Sequence, residues 1–262
     1  MAPEARRPLD RAGNQVKGNL EIKGLAKTFT SPEGRSIPVL KDINLSIEPG
    51  KFVCLVGPSG CGKTTILHAI AGILKKDSGT ILIDGTDHLR ARFGYVFQEA
   101  RLLNWRTASQ NVEFGAVAAG IPGAEIPALV KHYIDLVGLT DFANAYPLTL
   151  SGGMQQRVAI ARAFVVKPQV LLMDEPFSSL DELTARTMRS ELLRFWQEER
   201  HTVIFITHNT HEAVYLADKI YCLGKRGQGI TAEFDVDIER PRDAEDPRVI
   251  KLQKEVLATL LV

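Results

Sequence analysis

Phe52-Val53-Cys54-Leu55-Val56-Gly57-Pro58-Ser59-Gly60-Cys61-Gly62-Lys63-Thr64 is an unbroken apolar run that gives way to a glycine-rich loop. The apolar run follows the turn Glu48-Pro49-Gly50-Lys51, which predicts a strand buried on both faces, as in a parallel sheet. From Gly57 the sequence satisfies G-x-x-x-x-G-K-[ST] at every fixed position, and a helix is expected from Lys63 to about Gly72. Strand, loop and helix in that order are the context the motif requires. The glycines let the backbone curl so that several N–H groups converge on a phosphate. Lys63 is placed to reach the β- and γ-phosphates, and the Thr64 hydroxyl to ligate Mg²⁺. Gly57, Pro58, Ser59, Gly60, Cys61, Gly62, Lys63, Thr64 and Thr65 are therefore the expected nucleotide-binding residues. Cys61 and His68 need no chemistry; loop filling and helix packing account for them.

A second motif lies downstream. Val170-Leu171-Leu172-Met173-Asp174-Glu175-Pro176 is an apolar strand that ends in two adjacent acids. An unpartnered carboxylate at the end of a buried strand is costly, so the pair points to chemistry. Asp174 is placed to hold Mg²⁺ through water, and Glu175 to polarise an attacking water as general base. Between the two motifs stands Leu150-Ser151-Gly152-Gly153-Met154-Gln155-Gln156-Arg157. Its glycines leave backbone N–H groups uncovered at a loop-to-helix junction, where the helix N-terminus adds positive potential. It is a second surface able to hold a phosphate.

Outward from these motifs, composition sets the bounds. The chain has 262 residues, 45% hydrophobic and 24% charged, with a net charge of +1. That length allows one large α/β domain with an inserted subdomain. The near-neutral charge gives no electrostatic footprint for nucleic acid. No run of 18 or more apolar residues occurs, so no membrane span is expected. Met1 to Asn19 is polar and reads as a disordered leader rather than a signal peptide. Cys54, Cys61 and Cys222 lack metal-ligand spacing, and reduced thiols are expected.

Strands are expected from Leu20, at Ile43 to Ile47, at Thr80 to Gly85 and at Phe93 to Phe97. Residues from about 98 to 166 read as a helical insert, with Leu129, Tyr133, Ile134, Leu136 and Val137 on one buried face. Further strands are expected at Val170 to Met173 and Val203 to Ile206, with a helix from about Glu182 to Glu199 between them. Ile220 to Leu223 reads as the last core strand. Glu239 to Pro247 leads into a short C-terminal helix, so that 241–262 form an extension beyond the 20–240 domain.

With Gly57–Thr64, Leu150–Arg157 and Val170–Pro176 in this order, the chain resembles the ATPase subunit of ATP-binding cassette (ABC) transporters from about Leu20 to Gly229. The resemblance implies a P-loop NTPase (RecA-like) α/β core with an inserted helical subdomain and an N-terminal antiparallel β subdomain. It implies ATP hydrolysis with ATP and Mg²⁺. It also gives roles to further positions. Gln98 matches the Q-loop glutamine that contacts Mg²⁺, Ser178-Ser179-Leu180-Asp181 matches the D-loop at a dimer interface, and His208 matches the switch histidine that contacts the γ-phosphate. Phe29 resembles the aromatic that stacks on adenine. Asn209 departs from the family, where Asp usually follows the histidine. The implied mechanism is a head-to-tail dimer, each ATP lying between Lys63 and Thr64 of one subunit and Ser151, Gly152 and Gly153 of the other, with Asp181 of the D-loop counted among the cofactor-binding residues.

The stretch Tyr95 to Thr107 resembles the nitrate, sulfonate and taurine importer branch, although those relatives commonly have Pro where Asn104 stands. Glu212 to Asp218 and Asp246-Pro247-Arg248-Val249 fit the same branch. The branch implies a separate transmembrane permease, a substrate-binding protein, and a peripheral position on the cytoplasmic face of the plasma (inner) membrane. A lipid-trafficking or exporter ATPase, or an ABC ATPase outside transport, remains the alternative. The sequence does not identify the cargo.

Overall fold

A computed structural model describes residues 17–261. Its chain divides into two compact units, one formed up to Arg90 and from Glu198 onward, the other by Ala91–Gln197. The expected leader lies outside the described residues through position 16. Residues 17–19 have no regular structure, and the Gly18 and Asn19 N–H groups donate to the Asp84 carboxylate.

In chain order the first unit contributes β1 (Leu20–Thr30), β2 (Ser36–Ile47), β3 (Phe52–Val56), α1 (Lys63–Ile70), β4 (Ser78–Ile83) and β5 (Thr86–Asp87). The second follows with β6 (Phe93–Val96), α2 (Ala108–Ala118), α3 (Ile126–Leu136), α4 (Gly152–Phe164), β7 (Val170–Asp174) and α5 (Glu182–Glu199). The first resumes with β8 (Thr202–Thr207), α6 (Thr210–Leu216), β9 (Lys219–Leu223), β10 (Ile230–Asp235) and α7 (Pro247–Leu260).

The first unit holds two kinds of sheet. An antiparallel sheet in the order β2-β1-β4-β5 carries the long pair β1–β2, registered from Leu20↔Ile47 to Thr30↔Ser36. Elsewhere β3 runs parallel between β8 and β9, with Val56 opposite both Thr207 and Cys222. Every residue of β3 and β8 is buried, as their uninterrupted apolar sequences require. Both strands end level with one another, so the loops after Val56 and Thr207 leave from the same edge. β9 is not the last strand: β10 pairs with it antiparallel, after a turn closed by the Gly224 N–H donating to the Gly229 carbonyl.

In the second unit β6 and β7 pair in parallel from Phe93↔Val170 to Val96↔Met173. α4 packs against α2, α3 and β6. On α3 the residues Tyr133 and Ile134 are buried, with Val137 just beyond, while Leu129 and Leu136 are half-buried. α2 starts with a reciprocal cap: the Gln110 N–H donates to Thr107 Oγ1 and the Thr107 N–H to Gln110 Oε1. Among the described residues no helix is long and apolar enough to cross a membrane. Cys54, Cys61 and Cys222 are buried thiols outside any disulfide, and burial pushes the Cys222 thiol up to about 11.

Candidate functional site

The phosphate loop forms in the first unit as its sequence dictates. Gly60 and Gly62 lie in the left-handed region, at φ +75° and +113°. At Gly62 the φ disfavours a side chain, and an added Cβ would stand 2.7 Å from Leu40 Cδ2, whose side chain would have to move. Gly62 is also the N-cap of α1 and supplies no side-chain cap. Lys63 is 5% exposed and its ammonium curls back to donate to the carbonyls of Gly57 at 2.8 Å and Pro58 at 3.2 Å. That bend places the cation over the concavity of the loop. Pro58, Ser59, Gly60 and Thr64 are exposed and Thr65 is half-buried, while Gly57 and Cys61 are buried. Glycines in left-handed geometry, a helix start and a bent lysine make a cradle that fits a nucleotide phosphate.

Two more of the expected residues lie in this unit. Phe29 near the end of β1 is 39% exposed, and the Lys27 ammonium lies 5.6 Å from its ring centroid. His208 follows β8 and is exposed, beside buried Thr207. Asn209 is the N-cap of α6, with Oδ1 accepting from the His211 and Glu212 N–H groups. Asn does here what Asp would do, without adding a charge.

The second unit carries the other expected residues. Asp174 closes β7 and is 7% exposed. Glu175 is half-buried and sits at φ +45°, a conformation that costs a non-glycine residue about 1 kcal/mol or more and recurs at functional sites. Gln98, exposed two residues beyond β6, donates from Nε2 to Ser178 Oγ at 3.1 Å; Ser178 Oγ in turn donates to the Glu175 carbonyl at 3.0 Å. One serine thus joins the glutamine to the backbone of the expected general base. Tyr95 on β6 has its phenol pushed well above its ordinary range, by burial first and then by the charge of Asp174.

Ser151 is the N-cap of α4, its Oγ accepting from the Met154 N–H at 3.3 Å. Ser151 and Gly152 are exposed. Gln155 holds the preceding turn by donating to the carbonyls of Pro147 and Leu150. Asp181 caps α5 by accepting from the Thr184 N–H, and the Thr184 hydroxyl and amide hold its carboxyl below the usual range. The Ser151 hydroxyl keeps its proton for a further acceptor.

Residues that motif reading does not reach hold the loop after Gln98. Gln156 Nε2 donates to the Phe97 carbonyl, and Arg162 donates to the carbonyls of Ala100 and Arg101. Asn111, fully buried on α2, takes the Leu103 N–H and gives its amide protons to the carbonyls of Leu103, Arg106 and Thr107. A polar residue among the buried positions of α2 is the one sequence signal for this arrangement.

Among the described residues no group of three or more His, Cys, Asp or Glu side chains is arranged to hold a metal. Mg²⁺ characteristically takes one or two carboxylates and completes its shell with phosphates and water. Taken singly, the Thr64 hydroxyl, the Gln98 amide and the Asp174 carboxylate are oxygen donors of the kind Mg²⁺ accepts.

Comparison with known proteins agrees with this geometry. The model of the ABC transporter family matches residues 40–178. The nitrate import ATP-binding protein of Synechocystis is 44% identical over 241 residues, covering 90% of each chain. The taurine import ATP-binding protein of Jannaschia is 37% identical over 250 residues, covering 92% of this chain and 93% of that one. Among solved structures, a dimeric post-hydrolysis state of an ATP-binding cassette bound to ADP and phosphate superposes with a TM-score of 0.74 at 31% identity. It covers 84% of this chain and 100% of its own. A phosphate loop, a strand ending in Asp174-Glu175 and an open Ser-Gly-Gly helix start, within an α/β fold shared with such cassettes, place the chain in the ABC transporter family as an ATP-hydrolysing subunit.

Proposed function

We propose that the chain drives an importer of small anions such as nitrate, a sulfonate or taurine, working as a head-to-tail dimer beneath a separate transmembrane permease. The observation that carries the dimer is the Ser151 helix start. Ser151 and Gly152 are exposed at the start of α4, Gly153 is half-buried beside Thr184, and the chain already has its own phosphate cradle at Gly57–Thr65. A second phosphate-binding surface of this kind is used by the nucleotide of another copy. The likeness to a dimeric cassette holding ADP and phosphate supports the same reading.

In this proposal Gly57 to Thr65 and Phe29 hold ATP, with Lys63 on the β- and γ-phosphates. Thr64, Gln98 and Asp174 hold Mg²⁺, which when bound neutralises charge on the phosphates. Glu175 orients the attacking water and takes its proton, and His208 contacts the γ-phosphate. Ser151, Gly152 and Gly153, with Asp181, complete the partner's site. Closure of the dimer assembles the catalytic groups, and phosphate release reopens it.

The permease is proposed to dock on the helical part of the second unit. Trp105 is 74% exposed, and Phe114 and Val117 on α2 are also exposed, an apolar set suited to a partner. The nitrate and taurine relatives support an importer whose cargo is selected by the permease and a substrate-binding protein. The subunit would then be peripheral on the cytoplasmic face of the membrane.

Glu175→Gln tests the mechanism. It is expected to bind ATP normally, to lose about a hundredfold or more in turnover, and to accumulate as an ATP-loaded dimer in light scattering. Parent-like turnover by that variant would remove Glu175 from the catalytic role. Co-purification with a permease, and ATPase stimulation by a binding protein loaded with nitrate, sulfonate or taurine, tests the importer reading.

A further inference from the structure

His208 is exposed, yet the backbone on both sides of it is tied down. Thr207, 2% exposed, donates from Oγ1 to the Glu212 carboxylate at 2.6 Å and accepts at the same oxygen from the Asn209 N–H at 2.9 Å. Glu212 is itself 7% exposed and lies in the first turn of α6, where the helix N-terminus favours its charge. The same first turn is capped by Asn209 Oδ1.

The other end of α6 is held by the segment after β10. Arg240 Nη2 donates to the Leu216 carbonyl, and Arg242 Nη1 to the carbonyls of Val214, Tyr215 and Ala217. Arg240 also pairs with Asp218, whose other oxygen accepts the Phe52 N–H at the start of β3. A helix of seven residues has little stability of its own, so packing against β3 and α7 together with these bonds at both ends fixes where it lies.

Stability alone does not call for a buried carboxylate here, because apolar replacements of buried polar pairs are often neutral or stabilising. What the Thr207–Glu212 pair supplies is direction. It fixes one conformation of the Thr207-His208-Asn209 turn between the edge of β8 and a clamped helix. We propose that Thr207 and Glu212 are positioning residues for His208, holding its imidazole where the γ-phosphate is bound; this rests on the reading of His208 given above. The two arginines beyond β10 extend the same frame, giving the C-terminal segment a part in catalysis.

The test compares Thr207→Val, which keeps the shape and loses the hydroxyl, with Thr207→Ser, which keeps the hydroxyl, and with His208→Ala. Thr207→Val is expected to lower kcat by about tenfold or more with KM for ATP changed less than about twofold, and Thr207→Ser to restore kcat to within about twofold. Glu212→Leu, which removes the acceptor and leaves Thr207 in place, is expected to behave as Thr207→Val does. If His208→Ala is inactive while a folded Thr207→Val or Glu212→Leu variant keeps parent kcat, the proposal is overturned. If His208→Ala itself keeps parent turnover, the role of His208 falls and the proposal with it. A fall in kcat that Thr207→Ser does not rescue also overturns it, because the hydroxyl would not be the operative group.

Discussion

Two glycine-rich helix starts, at Gly62-Lys63 and at Ser151-Gly152-Gly153, look alike as sequence and differ in structure. The first is closed. Gly62 stands at φ +113° with Leu40 against the place its Cβ would occupy, and Lys63 is buried and bent over the loop. The second is open. Ser151 has ordinary extended geometry and caps its own helix, both it and Gly152 are exposed, and an added Cβ at Gly152 meets nothing nearer than Leu180 Cδ2 at 4.0 Å. A closed start is a complete phosphate cradle built within one unit. In the proposed dimer the open one offers its helix start to the nucleotide of another copy. Glycine is required by conformation at Gly62 and serves access at Gly152, whereas at Gly153 an added Cβ would stand 2.9 Å from Thr184 Cγ2.

That contrast can be broken by substitution. Lys63→Ala is expected to reduce ATP affinity by about a hundredfold or more, equivalent to ~3 kcal/mol, read by nucleotide titration. Gly62→Ala is expected to destabilise the fold by about 1–3 kcal/mol, since alanine tolerates neither the φ nor the space; thermal unfolding measures it. Ser151→Ala is expected to cost about 1 kcal/mol as a lost cap. It should bind ATP with parent affinity and lose turnover, and normal steady-state hydrolysis would reduce Ser151 to a cap alone. Gly152→Ala is the mildest for the fold, expected to be neutral or stabilising by up to about 1 kcal/mol. If it also left hydrolysis untouched, access to the helix amides would not matter and the contrast would collapse.

Much of the fold is legible wherever the signal is local. The all-apolar sequences of β3 and β8 match their complete burial, and α5 spans Glu182–Glu199 as its sequence predicts. β10 is less obvious, although Ile230-Thr231-Ala232-Glu233-Phe234-Asp235 alternates as a strand with one solvated face should. Its apolar positions are only half-buried, and a short strand of that kind looks like loop until its partner is known. Thr107 to Gln110 carries the pattern of a reciprocal cap and marks the start of α2 in the sequence.

The site divides in the same way. Gly57 to Thr65, Asp174 and Glu175, and Ser151 to Gly153 are readable because a turn, a strand end or a helix start imposes its residue types over a few neighbouring positions. The sequence by itself therefore points to the nucleotide chemistry and to a loop that its glycines allow to curl. Only the tertiary structure decides which groups hold the chemistry in place. Ser178 joins Gln98 to Glu175 across 80 residues of separation from the glutamine, and Arg162 reaches Ala100 and Arg101 across more than 60. Arg240 and Arg242 close on the end of α6 from beyond β10. A backbone conformation is a property of adjacent residues, whereas the partner of a long polar side chain depends on which segments the packed strands bring side by side.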